Sequence, residues 1–126
     1  MSITRQRAYD YVRERTKSDA HVVLVDRLWP RGLSKESMKE VEWLRELAPS
    51  NGLRKWFGHH HERWQEFATR YRDELRQHES ELQRLRSIAR KERLVLLYGA
   101  RDREHNQAVV LEEIIANGDA ASGTDS

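Results

Sequence analysis

At 126 residues the chain makes one domain, long enough to bury a core and too short for two. Charged residues make up 35% and hydrophobic ones 37%; the 23 basic and 21 acidic side chains leave a net charge of +2, without the surplus of a dedicated nucleic-acid binder. There is no cysteine, so disulfides, thiol catalysis and thiolate metal sites are excluded together. No apolar run approaches membrane-spanning length, and Met1 to Arg7 lacks the apolar core of a signal peptide, so a cytoplasmic protein without membrane partners is expected.

The chain opens on an ambiguous element. Ala8, Tyr9 and Tyr11 fit a short strand over Arg5 to Asp10 better than a helix, and Thr16 to Ala20 reads as a loop. His21 to Val25 is a strand: three valines and a leucine without polar interruption suit burial on both faces. Asp26-Arg27-Leu28-Trp29-Pro30-Arg31-Gly32 comes next as a polar loop. Ser34 then caps a helix, with Met38, Val41, Leu44 and Leu47 recurring at three or four residues up to Pro49. The alternation Val41-Glu42-Trp43 allows a break near Glu40. Ser50 caps a short helix through Leu53, Trp56 and Phe57, stopped by Gly58.

His59-His60-His61 is a junction before an amphipathic helix carrying Trp64, Phe67, Ala68, Tyr71 and Leu75 on its apolar side. Ser80 and Gln83 have capping-box spacing, and Leu82, Leu85 and Ile88 continue a helical stripe, as a second helix or beyond a bend near His78. Leu94 to Tyr98 is the second clear strand. Gly99 and Ala100 turn the chain into Arg101-Asp102-Arg103-Glu104, where Asp102 caps a helix from about Glu104 to Ala116. Asn117-Gly118 ends it, and 119–126 reads as a disordered polar tail.

Buried strands followed by turns and helices predict an α/β fold: a small three-layer domain over 1–118 with a short, mainly parallel sheet flanked by helices. Both polar loops then leave at the carboxyl edge, where open parallel sheets bind ligands. Arg27, Arg31 and Arg101 offer forked donors there for phosphate or carboxylate. In the competing reading Arg27 pairs with Asp102, Arg101 pairs with Asp26, and nothing binds. Asp26, directly after a buried strand, is a candidate general base. His59 and His105 are candidate proton donors, Trp29 or Trp56 a wall, and Asn106 a ligand contact or a helix cap. Of the histidine run only His59 and His61 can converge, with His105 or a carboxylate as third ligand, so no metal site is expected, and no cofactor.

Val23-Leu24-Val25-Asp26-Arg27-Leu28-Trp29-Pro30-Arg31-Gly32-Leu33-Ser34-Lys35 resembles the YeaO-like family, a branch of domain of unknown function 488. Trp43-Leu44 with Leu47-Ala48-Pro49-Ser50, Leu53-Arg54-Lys55-Trp56-Phe57-Gly58-His59 and Leu96-Leu97-Tyr98 with Asp102 and Glu104-His105-Asn106 resemble it too. The resemblance implies a small cytosolic α/β domain and no particular activity. Longer relatives in the wider family resemble this chain at both loops but carry cysteines where Tyr98 and Asn106 stand, so thiol chemistry does not carry over. At His60 and His61 the family pattern resembles Asp-Pro, which this chain lacks. The expected function is an anion-binding cleft, as in a hydrolase or transferase on a small phosphorylated or nucleotide-like substrate. The alternatives are a nucleic-acid-binding accessory protein, with Arg5, Arg7 and Arg13 as phosphate contacts, or a non-catalytic interaction domain.

Overall fold

The computed structural model describes residues 1–14 and 19–117. Its sheet has four parallel strands in the order β1-β4-β2-β3: β1 Ser2–Arg7, β2 His21–Leu24, β3 Glu42–Trp43 and β4 Arg93–Tyr98. In the central pair His21 lies opposite Leu94 and Leu24 opposite Leu97. Val25 extends that pairing, its N–H donating to the Leu97 carbonyl at 3.0 Å. The two apolar runs of the sequence therefore end side by side and point the same way, so the loops after them leave at one edge.

Alternation along the strands divides the core. Val23, Val25, Leu94, Leu96 and Tyr98 face one side, against α2 (Asn51–Phe57), α3 (Trp64–Leu75), α4 (Glu79–Lys91) and α5 (Gln107–Ala116). Leu24, Val95 and Leu97 face the other, with Ala8 of α1 (Ala8–Glu14), Met38 and the half-buried Trp29 and Trp43. These are the three layers of a small α/β domain. Among the described residues, no helix is long and apolar enough to cross a membrane.

Four expectations need correction. The opening element is both a strand and a helix: β1 begins at Ser2 and gives way to α1 at Ala8. Its polar sequence hides it, because an edge strand need not be apolar; Ser2 to Arg7 pairs with β4 on one side only. The helix expected over Ser34 to Leu47 is absent. Ser34 Oγ does accept from the Ser37 N–H at 3.1 Å, but it opens only a single 3₁₀ turn, Glu36–Met38. The chain then lies alongside β2, where the Leu44 N–H reaches the Leu24 carbonyl at 2.9 Å and the Trp43 indole N–H the Asp26 carbonyl at 2.8 Å. Unpaired backbone on β2 outcompetes an isolated helix that is marginal at this length.

The Ser80–Gln83 box does not form either. Ser80 is already inside α4, and Gln83 Nε2 donates to Glu79 Oε2 at 2.8 Å instead. A 3₁₀ turn, Arg76–His78, separates α3 from α4, so there are two helices. Last, α5 starts at Gln107, with Asn106 as its cap: Asn106 Oδ1 accepts from the Ala108 and Val109 N–H groups at 2.9 and 3.3 Å. Asp102 caps the preceding turn, its Oδ1 accepting from Glu104 N–H at 2.9 Å and His105 N–H at 3.0 Å. The loop expected at Thr16 to Ala20 falls partly outside the described residues, and the expected tail 119–126 wholly so.

The short helix α2 is as read. Ser50 Oγ accepts from Leu53 N–H at 3.2 Å and donates to Glu74 Oε2 at 2.6 Å, and Gly58 closes the helix with φ +50°. Ser50→Ala removes the cap and one of the two bonds to the half-buried Glu74 carboxylate, keeping the one from the residue-50 N–H at 2.9 Å, so it should cost about 1–2 kcal/mol. Urea titration of the two proteins checks this; equal midpoints would show the cap to be dispensable.

Candidate functional site

The loops after β2 and β4 enclose a cavity of about 400 Å³. Asp26 lies on its lining, one residue past the end of the Val25 extension, where the buried strand delivers it. Its carboxylate is held on both sides. Gly99 N–H donates to Oδ2 at 2.9 Å, and the Gln107 side-chain amide donates to Oδ1 and, at 3.3 Å, to the Val25 carbonyl. Burial pushes the Asp26 carboxyl up to about 6 from 3.8, outweighing the Gly99 and Gln107 hydrogen bonds and the charge of Arg54, which pull it down. Here Gly99 is required for close approach: a Cβ at that position would stand 2.7 Å from Asp26 Oδ2.

Arg27, Arg31, Arg54 and Lys55 also line the cavity, where among the described residues Asp26 is the one acidic side chain. Arg27 doubles as a brace, its Nε and one terminal nitrogen each donating at 3.1 Å, to the carbonyls of Pro49 and Ala48. That leaves it three further N–H donors. Arg31 is exposed, and its backbone carbonyl accepts from the Tyr9 hydroxyl at 2.7 Å. Arg54, from the middle of α2, bonds to Asn51 Oδ1 at 3.3 Å, while its buried Nε has no protein partner.

The other expected site residues divide between the lining and its surroundings. Trp29, His59, His105 and Asn106 line the cavity; Trp56, Arg101 and Asp102 do not. Trp29 is largely structural, with its indole N–H donating to the Leu33 carbonyl at 2.6 Å and its ring edge-on to Trp43 at 5.2 Å. Trp56 lies between the guanidinium groups of Arg63 and Arg70, 5.2 and 4.5 Å from its ring centre. Asn106 is buried and occupied as a cap, with Nδ2 donating to the Asp102 carbonyl at 2.8 Å. His59 is exposed, with φ +63°. The pairing of Arg27 with Asp102 and of Arg101 with Asp26 does not form: Asp26 bonds to Gly99 and Gln107, and Asp102 to His61 and His105.

Tyr9, Arg54 and Gln107 belong to the lining and escaped the sequence reading. Arg54 carried a faint signal, since it directly follows Leu53, a buried residue of α2. Gln107, next to a cap residue at the sheet edge, carried another. Tyr9 carried none, because it lies on α1, a two-turn helix whose short sequence has no clear helical periodicity.

Residues 2–125 match a family model described as the inactive DUF488-N3 subclade. The chain is 42% identical over 113 residues to the Escherichia coli K12 protein named "Uncharacterized protein YeaO", covering 90% of this chain and 96% of that protein. It is 34% identical over 113 residues to "Uncharacterized protein Rv3073c" of Mycobacterium tuberculosis and to "Uncharacterized protein Mb3100c" of Mycobacterium bovis, each covering 89% of this chain and 94% of the relative. No solved structure matches. With a family model spanning nearly its whole length and relatives of its own size, the chain belongs to the YeaO-like branch of the DUF488 family.

Proposed function

We propose that this protein binds a small anionic molecule, phosphorylated or nucleotide-like, in the cavity at the carboxyl edge of its sheet. The observation that carries the reading is the charge of the lining: four side-chain cations against one carboxyl group, and that carboxyl held near pKa 6. A cavity of about 400 Å³ lies within the usual range for small-molecule sites. The free donors of Arg27 supply hydrogen bonds of the type that phosphate accepts. The description of the subclade as inactive, and the absence of cysteine, weigh toward binding without turnover. A cytoplasmic location remains part of this proposal.

Sulfate is a suitable probe because its charge is constant between pH 5 and 8. Arg31→Ala should weaken sulfate binding by about 10-fold or more, the worth of one charged hydrogen bond, without moving the melting temperature, since its exposed side chain braces nothing. A lowered melting temperature with unchanged affinity would make Arg31 a structural residue and sink its role here. Affinity should also fall as pH rises through about 6, because ionised Asp26 repels the anion. Asp26→Asn should reduce that pH dependence.

Catalysis is the second reading, favoured by one feature. A buried carboxyl with a pKa of about 6 is suited to general acid–base work near neutrality, so Asp26 would serve a hydrolase or transferase acting on the bound anion. Turnover of phosphate esters that Asp26→Asn abolishes would establish it; binding without turnover would remove it. The nucleic-acid reading loses its outer contacts. Arg5 pairs with Glu112, Arg13 with Asp10, and Arg7 donates to the Ala100 carbonyl at 3.0 Å.

A further inference from the structure

At the His105 end of the cavity lining, three side chains from two distant parts of the chain meet. His61 opens the 3₁₀ turn before α3, while Asp102 and His105 belong to the loop after β4. One nitrogen or oxygen from each lies within 4.8 Å of the other two. The meeting depends on the turn after α2: Gly58 and His59 take left-handed φ values of +50° and +63°, and the His60 N–H returns to the Phe57 carbonyl at 2.8 Å. That reversal brings His61 onto the second loop.

Each member is held before any ligand arrives. Asp102 Oδ1 is engaged by the Glu104 and His105 backbone N–H groups, leaving Oδ2 2.7 Å from His61 Nε2 and 3.1 Å from His105 Nδ1. The Glu104 N–H, with His105 adding to it, keeps the Asp102 carboxyl below its ordinary range, so it is ionised at neutral pH. The two imidazoles stack at 4.8 Å and 26°, and Trp64 meets His105 edge-on at 5.2 Å. His60 lies outside the cluster, its Nδ1 3.6 Å from a Glu62 carboxylate oxygen.

We propose that His61, Asp102 and His105 form a site for a divalent transition-metal ion of the zinc class. Two imidazole nitrogens and one carboxylate oxygen are the donor set such ions select, whereas magnesium and calcium prefer oxygen alone. Ligand bonds of about 2.0–2.2 Å place neighbouring donors roughly 3.3 Å apart in a tetrahedron. From 2.7 and 3.1 Å, the Asp102 Oδ2 contacts open by about 0.6 Å to His61 and about 0.2 Å to His105, and the imidazoles draw together. Binding moves the ring hydrogens to His61 Nδ1 and His105 Nε2, turning both coordinating nitrogens into lone-pair donors. Three protein ligands leave a fourth position for water or an anion.

The test is calorimetric titration of the untagged chain with Zn²⁺ at neutral pH, with Mg²⁺ as control. One Zn²⁺ per chain is expected, with no Mg²⁺ binding. His61→Ala should weaken Zn²⁺ at least about tenfold, the scale on which even an outer-shell partner matters, while His60→Ala leaves it unchanged. Because His61 is exposed, its variant keeps the fold. Asp102→Asn is the second variant, since the amide oxygen can still accept the two loop N–H groups. Absence of stoichiometric Zn²⁺ binding, wild-type affinity in His61→Ala, or equal loss in His60→Ala would overturn the assignment. No anion enters this experiment, so its failure leaves the reading of the Asp26 cavity standing, and the converse holds too.

Discussion

Asp26→Asn should stabilise this protein by about 2 kcal/mol at pH 8 and cost it up to about 1 kcal/mol near pH 3.5. The carboxyl is raised from 3.8 to about 6, so between those values the folded chain holds a proton that the unfolded chain has released. Stability therefore falls as pH rises through that window, and the loss persists above it. A rise of about 2 pK units at 1.36 kcal/mol each is worth about 3 kcal/mol. Asparagine carries no such penalty, but its amide meets the Gln107 amide, and Gln107 must turn over and give up its bond to the Val25 carbonyl. That re-pairing takes back about 1 kcal/mol. Urea titrations of both proteins at pH 3.5 and pH 8 check the difference. A variant less stable than the parent at pH 8 would mean that Asp26 is comfortable as a charge. Stabilisation together with a change in anion binding is the trade-off expected where a site holds a group against its own preference.

The second large effect falls on the opposite side of the same carboxylate. Gly99→Ala sets a methyl 2.7 Å from Asp26 Oδ2, with Pro30 at 3.6 Å behind it, so the carboxylate must move and its bond to the Gly99 N–H breaks. Overpacking and the loss of a charged hydrogen bond together should cost about 2–4 kcal/mol. Glycine is needed here for space alone, since Gly99 is not among the glycines with positive φ. In an Asp26→Ala background the clash has no partner, so Gly99→Ala should then cost under about 1 kcal/mol. A double-mutant cycle measures that coupling. Additive costs would place the strain of Gly99→Ala elsewhere.

How far these features were legible depends on the kind of signal each residue carries. Val23 and Leu94 to Tyr98 are apolar without interruption because both faces of their strands are covered, and that pattern needs no structure to read. Their parallel pairing was implied by the lengths of chain between them. Asp26 was visible as the charge ending such a run. The segment from Ser34 to Leu47 misled because its apolar spacing fits a helix, while its backbone is claimed by the open edge of β2. β1 was obscured for the related reason that an outer strand can be polar. Arg86, buried in α4 with one terminal nitrogen 3.0 Å from Glu79 and the other 3.3 Å from the Ile114 carbonyl, looks in the sequence like any surface arginine.

By itself, then, the order of residues determined the α/β class, the two central strands, most of the helices and the edge at which the polar loops emerge. These come from local periodicity and from the rule that buried strands end where charge begins. Tertiary packing alone decided which loop residues share a cavity and which are spent on bracing. It turned Arg27 toward the Ala48 and Pro49 carbonyls, added Arg54 and Gln107 to the lining, and brought His61 to Asp102. Contacts between residues 41 to 81 positions apart leave no periodic trace in a sequence, because each depends on how separate elements settle against one another.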